Sequence, residues 1–380
     1  MQIGLITGEY PPMQGGVGAY TQVLARTFAR SGHVVFLLAP PAAEETCENI
    51  VVDAAPTWSL KIFSIVDRWA AARKPDIINI QYQTAAFSMS PWIHFLPTCS
   101  RHAPVVTTFH DLRFPYLFPK AGPLRPWIVR YLARTSDGMI VTNHEDALQF
   151  RSLSHCALIP IGSNILASLP AGHRRDAWRE QHAVPHDAFV IAFFGLINRS
   201  KGLISLLHAL HQLTQEDESI RLLMIGGVPG SSDPENRSHQ EEIKALIRQL
   251  DLERRIIDLG FVDDVEVAAS LDAADVVALP FLDGASYRRG SLMAALHYGA
   301  AIVTTRPAVP IAAFQDGVNM LLVPPGEASA FAAALGRLRN DVELRHRLKA
   351  GARALAGQFS WDAIATQTLD FFERIRNKRR

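Results

Sequence analysis

The sequence predicts an α/β chain of two doubly wound domains, each built on a parallel sheet, facing a central cleft. Three observations predict it. Short apolar runs alternate with helix-length segments, the pattern of βαβ units rather than of hairpins. The alternation runs through once, halts in a polar stretch holding proline and glycine, and starts again. The 380 residues, 48% of them hydrophobic, suffice for two ordinary cores.

The first series places strands at Ile3–Ile6, Val34–Leu38, Ile77–Ile80, Val105–Phe109, Gly138–Val141 and Ala157–Ile159, with helices including Val17–Arg30 and Pro126–Arg134. The break lies within Ile165–Asp187, which holds Pro170, Gly172, Pro185 and a cluster of His and Arg without strong periodicity. The domains are set at 1–168 and 169–359. The second series places strands at Phe189–Phe194, Ile220–Ile225, Ile256–Leu259, Val276–Leu279, Ala301–Thr304 and Met320–Val323, with helices at Leu203–Leu213, Gln240–Leu250, Val265–Leu271 and Ser291–His297. After Pro324-Pro325-Gly326 the chain reads as almost wholly helical. There are no internal repeats or low-complexity tracts.

The formal net charge is +1, so nothing in the total favours a nucleic-acid partner. The first apolar stretch is short, follows no basic residue and runs into Glu9 and Pro11-Pro12, unlike a signal peptide. No apolar segment approaches the roughly 18 residues of a membrane span. Cys47, Cys99 and Cys156 are far apart and odd in number, which fits buried thiols in a reducing compartment better than disulfides or zinc. The expected location is cytoplasmic.

Open parallel sheets bind ligands at the carboxyl ends of their strands, so the loops there carry the chemistry. After the first strand come Gly15, Gly16 and Gly18, then a helix. A dinucleotide fingerprint fails, because Gly16-Val17-Gly18-Ala19-Tyr20-Thr21 lacks the third glycine. Two readings stand: a structural turn, or a loop reaching toward a sugar or phosphate. In the second series, Arg199 and Lys201 lie in a turn before a helix, where two cations suit a diphosphate; a solvated basic turn is the alternative. The segment Asp283-Gly284-Ala285-Ser286-Tyr287-Arg288-Arg289-Gly290-Ser291 again sets two arginines beside a helix start, as a phosphate leaving group would require. Gly226 and Gly227 make room for a sugar or base, or simply a turn. The backbone at Phe261 and Val262 is placed to take a nucleobase edge.

These segments, with Thr108-Phe109-His110-Asp111 and Ile159-Pro160-Ile161-Gly162, resemble in order and spacing a family 4 glycosyltransferase of the retaining, GT-B class. The likeness spans nearly the whole chain. It implies that the first domain binds the acceptor and the second a nucleoside-diphosphate sugar. Lys201 matches the family's diphosphate-binding lysine, and His110 a histidine that contacts the transferred sugar. A C-terminal helix, 360–380, would return to the first domain. Leu196 stands where the family has an arginine, and Ser286 and Ala294 stand where it has two glutamates. The Asp-Gly-x-Ser-x-Arg-Arg-Gly-Ser segment reads as the mark of a subset, with Arg199, Arg288 and Arg289 supplying part of the phosphate binding that Leu196 cannot.

The implied reaction moves a sugar from a nucleoside diphosphate to an acceptor hydroxyl, with the anomeric configuration kept. His110, Lys201 and Arg199 are the expected catalytic residues. Gly15, Gly16, Gly18, Gly226, Gly227, Phe261, Val262, Asp283, Gly284, Ser286, Arg288, Arg289, Gly290 and Ser291 are expected to bind the donor. No metal or cofactor is expected, since protein cations do the work a divalent ion does elsewhere; Asp263-Asp264 reads as a solvated loop. The acceptor is a carbohydrate or is lipid-linked. Residues 113–134 mix Phe114, Tyr116, Leu117, Phe118, Trp127, Ile128 and Tyr131 with five basic residues and no acidic ones. That suits peripheral contact with an anionic membrane at its inner face, or a helix with a core face and a basic outer face. The rival functions are a nucleotide-sugar epimerase or phosphorylase on the same architecture, and a non-catalytic nucleotide-sugar binding protein.

Overall fold

The structure is a computed structural model of the whole chain, and it describes all residues except 14, 111, 113–123, 154, 228–233 and 380. The chain divides into two compact units, Met1–Asn164 with Ser360–Arg380, and Ile165–Phe359. The division falls at 164/165, where the sequence set it at 168/169.

The first unit is a seven-stranded parallel sheet: β1 (Gln2–Thr7), β2 (Val34–Ala39), β3 (Ile50–Ala54), β4 (Ile77–Tyr82), β5 (Val105–Phe109), β6 (Gly138–Val141) and β7 (Cys156–Leu158). Their order is β3-β2-β1-β4-β5-β6-β7, so the winding reverses between β1 and β4. Helices α1 (Gly16–Arg30), α2 (Ile62–Arg73), α3 (Leu96–Cys99), α4 (Leu124–Thr135) and α5 (His144–Gln149) connect the strands. One face buries Ile6, Phe36, Ile78, Ile80, Val105 and Phe109 under α2 and α4. The other buries Ile3, Leu5, Val35, Leu37, Ile77 and Val106 under α1 and the C-terminal helix, Trp361–Arg379. That helix presents Ile364, Phe371, Phe372 and Ile375 to this core. Its first residue, Trp361, donates its indole N–H to the Ser163 carbonyl at 2.7 Å.

β3 is absent from the sequence reading. It is an edge strand, and its apolar run, Ile50-Val51-Val52, is cut short by Asp53. It is fixed from one side: Asp53 accepts from Trp69 Nε1 at 3.0 Å and from the Arg73 guanidinium on α2.

The second unit is a six-stranded parallel sheet: β8 (Val190–Phe194), β9 (Arg221–Ile225), β10 (Ile256–Gly260), β11 (Val276–Leu279), β12 (Ile302–Thr305) and β13 (Leu321–Val323). The order is β10-β9-β8-β11-β12-β13, with the reversal between β8 and β11. Around it lie α6 (Arg175–Gln181), α7 (Leu203–Glu216), α8 (Pro234–Gln249), α9 (Asp264–Ala273), α10 (Gly290–His297), α11 (Ala328–Asn340) and α12 (Val342–Ala356). Helix α6 falls in the stretch where the sequence shows no strong periodicity. It buries Trp178, and Arg175 and Arg179 pair with Asp275 at 2.5 and 2.9 Å; Asp275 also accepts from the Val190 amide.

The three thiols are free but not deeply buried: Cys99 is exposed, and Cys47 and Cys156 are half-buried. Among the described residues no helix is long and apolar enough to cross a membrane.

Candidate active site

In the second unit β8 and β11 are hydrogen-bonded neighbours, so the loops leaving their carboxyl ends meet. The chain after β8 passes Gly195 and makes a short 3₁₀ turn, Arg199–Lys201, before α7. Gly202 closes that turn at φ 71°, and a Cβ there would collide with the Pro280 carbonyl at the end of β11. Only glycine allows the two loops to approach this closely.

The approach places the Lys201 ammonium 3.0 Å from the Ser291 hydroxyl and 5.1 Å from the centre of the Phe281 ring. The Arg289 guanidinium lies 4.6 Å from the same ring. Burial, and then the charge of Arg289, push the Lys201 pKa down to about 7. Burial disfavours the charged form of this amine, and a nearby anion would favour it. Arg289 is itself buried and pairs with Asp283, which Arg288 also faces at 3.6 Å. Gly284 follows Asp283 in the turn, and Gly290 and Ser291 open α10 as the sequence placed them. Ser286 is buried, and its hydroxyl has no hydrogen-bond partner among the described residues. Ala294 is buried within α10.

Arg199 does not join this group. It pairs with Glu242 on α8 at 3.0 Å, and its side chain is 56% exposed. It meets a carboxylate there, as Arg288 and Arg289 meet Asp283.

Beside the lysine turn, the ends of β8, β9 and β10 are knitted together. Gly195 N–H donates to the Ile225 carbonyl at 2.9 Å, Gly226 N–H to Gly260 at 2.8 Å and Ile197 N–H to Gly227 at 3.1 Å. Gly226 adopts φ 122°, and a Cβ there would lie 2.5 Å from the Gly195 carbonyl oxygen. Phe261, next to Gly227, is 78% exposed, and Val262 is half-buried. Asp263 is the N-cap of α9, accepting from Glu266 N–H at 2.8 Å. It is therefore a helix start rather than a plain solvated loop.

In the first unit, Gly15 is the N-cap position of α1 and Gly16 its first residue. The amides of Val17 and Gly18 both donate to Glu9 Oε1, at 2.8 and 3.0 Å. The glycine loop was expected to reach for a sugar or phosphate, but a carboxylate from the chain itself holds these amides. The cause is the helix N-terminus, which favours any nearby anion. Glu9 also borders a cavity of about 700 Å³ at the carboxyl ends of β1 to β4, lined among others by Met13, Trp58, Phe87, Met89 and Trp92.

His110 follows β5. Its amide donates to the Tyr82 carbonyl at 3.1 Å, its Nε2 lies 2.7 Å from Gln81 Oε1, and Tyr20 meets its ring edge-on at 4.6 Å. Burial pushes its pKa down to about 3, so the imidazole is neutral. Gln81 and its neighbour Asn79 were missed by the sequence reading. Two amides two apart in the apolar strand Ile77-Ile78-Asn79-Ile80-Gln81 were the available signal, since both point to one buried face.

Most of the aromatic and basic segment read as membrane contact, 113–123, lies outside the described residues. In α4, Val129, Leu132 and Ala133 are core, while Trp127 is 55% exposed and stacks on Tyr131. Among the described residues no three His, Cys, Asp or Glu cluster as metal ligands would.

Residues 174–355 match the model described as glycosyl transferases group 1, and residues 15–157 the model described as a glycosyl transferase 4-like domain. The chain is a glycosyltransferase of the family 4 type. Along 99% of its length this glycosyltransferase is 27% identical to the phosphatidyl-myo-inositol mannosyltransferase of Mycobacterium leprae, covering 97% of that protein. Its fold is that of the sucrose-phosphate synthase of Thermosynechococcus elongatus, with TM-score 0.78 at 20% identity and 100% of both chains covered. It is also that of the Anabaena HepE protein in complex with UDP, with TM-score 0.74 at 20% identity, covering 98% of this chain and 100% of the other. These are GT-B glycosyltransferase structures, so the glycosyltransferase is a GT-B chain of two Rossmann-like units.

Proposed function

We propose that the enzyme transfers a sugar from a nucleoside diphosphate to an acceptor hydroxyl with retention of configuration and without a metal. The observation that carries this is the Lys201 group at the switch point of the second unit. A desolvated ammonium, the Ser291 hydroxyl, the start of α10 and two arginines converge there. Departure of a diphosphate is the demanding step, and prealigned cations in a dry site stabilise its developing charge. Phe261 and the Gly226-Gly227 turn border the same sheet edge and would take the nucleobase and ribose. A uridine nucleotide is the first donor to try, because HepE was crystallised with UDP.

The first unit would supply the acceptor seat, in the cavity bordered by Glu9, Trp58 and Trp92, with His110 meeting the transferred sugar. Indole rings suit the apolar faces of a sugar ring, and a carboxylate accepts from its hydroxyls. The mycobacterial relative's name makes a lipid-linked acceptor the leading choice, reached from the cytoplasmic side at the inner face of the membrane, with Trp127 and segment 113–134 as the contact. Proton NMR of the first product formed from an α-linked donor tests the reading. An α-linked product supports retention, and a β-linked product refutes it.

A further inference from the structure

Beneath His110 lies a row of buried polar side chains that cannot be rearranged freely. Asn79 and Gln81 are fully buried on β4, and Thr108 is buried opposite Gln81 on β5. Asn79 Nδ2 donates to the Val106 backbone carbonyl at 3.1 Å and to Thr108 Oγ1 at 2.9 Å. A carbonyl oxygen can only accept. The Asn79 amide is therefore oriented by the main chain, with its Oδ1 turned the other way. That oxygen accepts from Gln81 Nε2. Gln81 is oriented in turn: its Nε2 is committed to Asn79, which leaves Oε1 to face His110 Nε2 at 2.7 Å. An amide oxygen also can only accept, so His110 Nε2 must carry the proton.

We propose that Asn79 and Gln81 are positioning residues that lock His110 as the neutral Nε2–H tautomer. Nδ1 is then the ring's lone-pair nitrogen, and it has no hydrogen-bond partner among the described residues. Resting on the function proposed above, the histidine meets the sugar as a hydrogen-bond acceptor for a hydroxyl, not as a donor or a cation. The direction of the relay is fixed by a strand carbonyl, so it does not depend on the ligand being present. Reversing it would set Asn79 Oδ1 against the Val106 carbonyl at a position closed to solvent, where the loss is not repaired.

Two measurements test this. Two-bond proton–nitrogen NMR on the unliganded, histidine-labelled enzyme, with the ring assigned through His110→Ala, reads the tautomer directly. A protonated Nε2 and bare Nδ1 are expected, and the opposite tautomer overturns the inference whatever the enzyme transfers. The near-isosteric Gln81→Met removes the acceptor without adding charge. It should mix the two tautomers and lower turnover roughly two- to tenfold, the size of one neutral hydrogen bond, while affinity for free UDP stays unchanged. A single Nε2–H tautomer surviving in Gln81→Met would also overturn it. If instead the wild-type tautomer is as expected but His110→Ala turns over normally, the relay stands and the sugar placement fails.

Discussion

Lys201 offers the sharpest test of the donor site, because its charge is held at a cost. The half-buried ammonium lies beside Ser291 and Arg289, and desolvation and the Arg289 charge lower its pKa from 10.5 to about 7. Above pH 7 the free enzyme sheds this proton, yet a diphosphate restores the advantage of the ammonium. Nucleotide binding should therefore take up close to one proton at pH 8 to 9. Affinity should fall toward tenfold per pH unit, so that UDP binds roughly fiftyfold more weakly at pH 9 than at pH 7. Isothermal titration calorimetry at several pH values, in two buffers of different ionisation enthalpy, reads both quantities. Lys201→Met removes a charge-assisted hydrogen bond worth about 1.5–3 kcal/mol, so UDP should bind roughly ten- to 150-fold more weakly at pH 6. It should also abolish the slope. The stability effect has the opposite sign. A depressed folded-state pKa means that the unfolded chain binds the extra proton between about pH 7 and 10.5. The burial penalty is thus full below 7 and is relieved as pH rises through that window. Without nucleotide, Lys201→Met should melt higher than the wild type at neutral pH and lose that lead toward pH 10.5. A wild-type affinity independent of pH, or an unchanged slope in the variant, would refute the assignment.

Arg288→Ala and Arg289→Ala should each weaken UDP binding, by about 1.5–3 kcal/mol for every charge-assisted hydrogen bond removed; unchanged calorimetric affinity in both would make their pairing with Asp283 purely structural. Arg199→Ala should leave UDP affinity within about twofold of wild type, since Glu242 already meets that charge and an exposed ion pair contributes little; a large loss would return Arg199 to the site. EDTA should leave turnover nearly intact, and activity that vanishes in EDTA but returns with magnesium or manganese would contradict the metal-free proposal. His110→Ala should lower turnover while leaving free UDP binding unchanged, because the group is assigned to the sugar alone; abolished UDP binding with the fold intact would mean that the nucleotide sits where the sugar was placed.

Much of this was legible from residue order. Strands announce themselves as apolar runs, and twelve stood out with only their ends misplaced, the edge strands β7 and β10 among them although neither holds a buried residue. β3 was missed because its apolar run, Ile50-Val51-Val52, is cut short by Asp53, and α6 because Trp178 is its one large buried apolar residue and Arg175 and Arg179 anchor it on Asp275. Lys201 and the Asp283–Ser291 segment could be read as two motifs, but their meeting depends on β8 pairing with β11, which no local pattern states. The same gap explains Arg199. Two residues from Lys201 in one 3₁₀ turn, it goes to a carboxylate on α8 while Lys201 goes to Ser291. Glu9 closing on Val17 and Gly18 was equally hidden, since a glycine loop reads as open until its partner is seen.

Transfer of a sugar to an acceptor is read from the release of nucleoside diphosphate. The enzyme would be incubated with UDP-glucose and other nucleoside-diphosphate sugars, each with and without phosphatidylinositol vesicles or free saccharides. Release should depend on an added acceptor, be matched mole for mole by glycosylated product, and be abolished in Lys201→Met. Release that needs orthophosphate instead, donor conversion with no acceptor present, or tight binding without any release would contradict transfer to an acceptor.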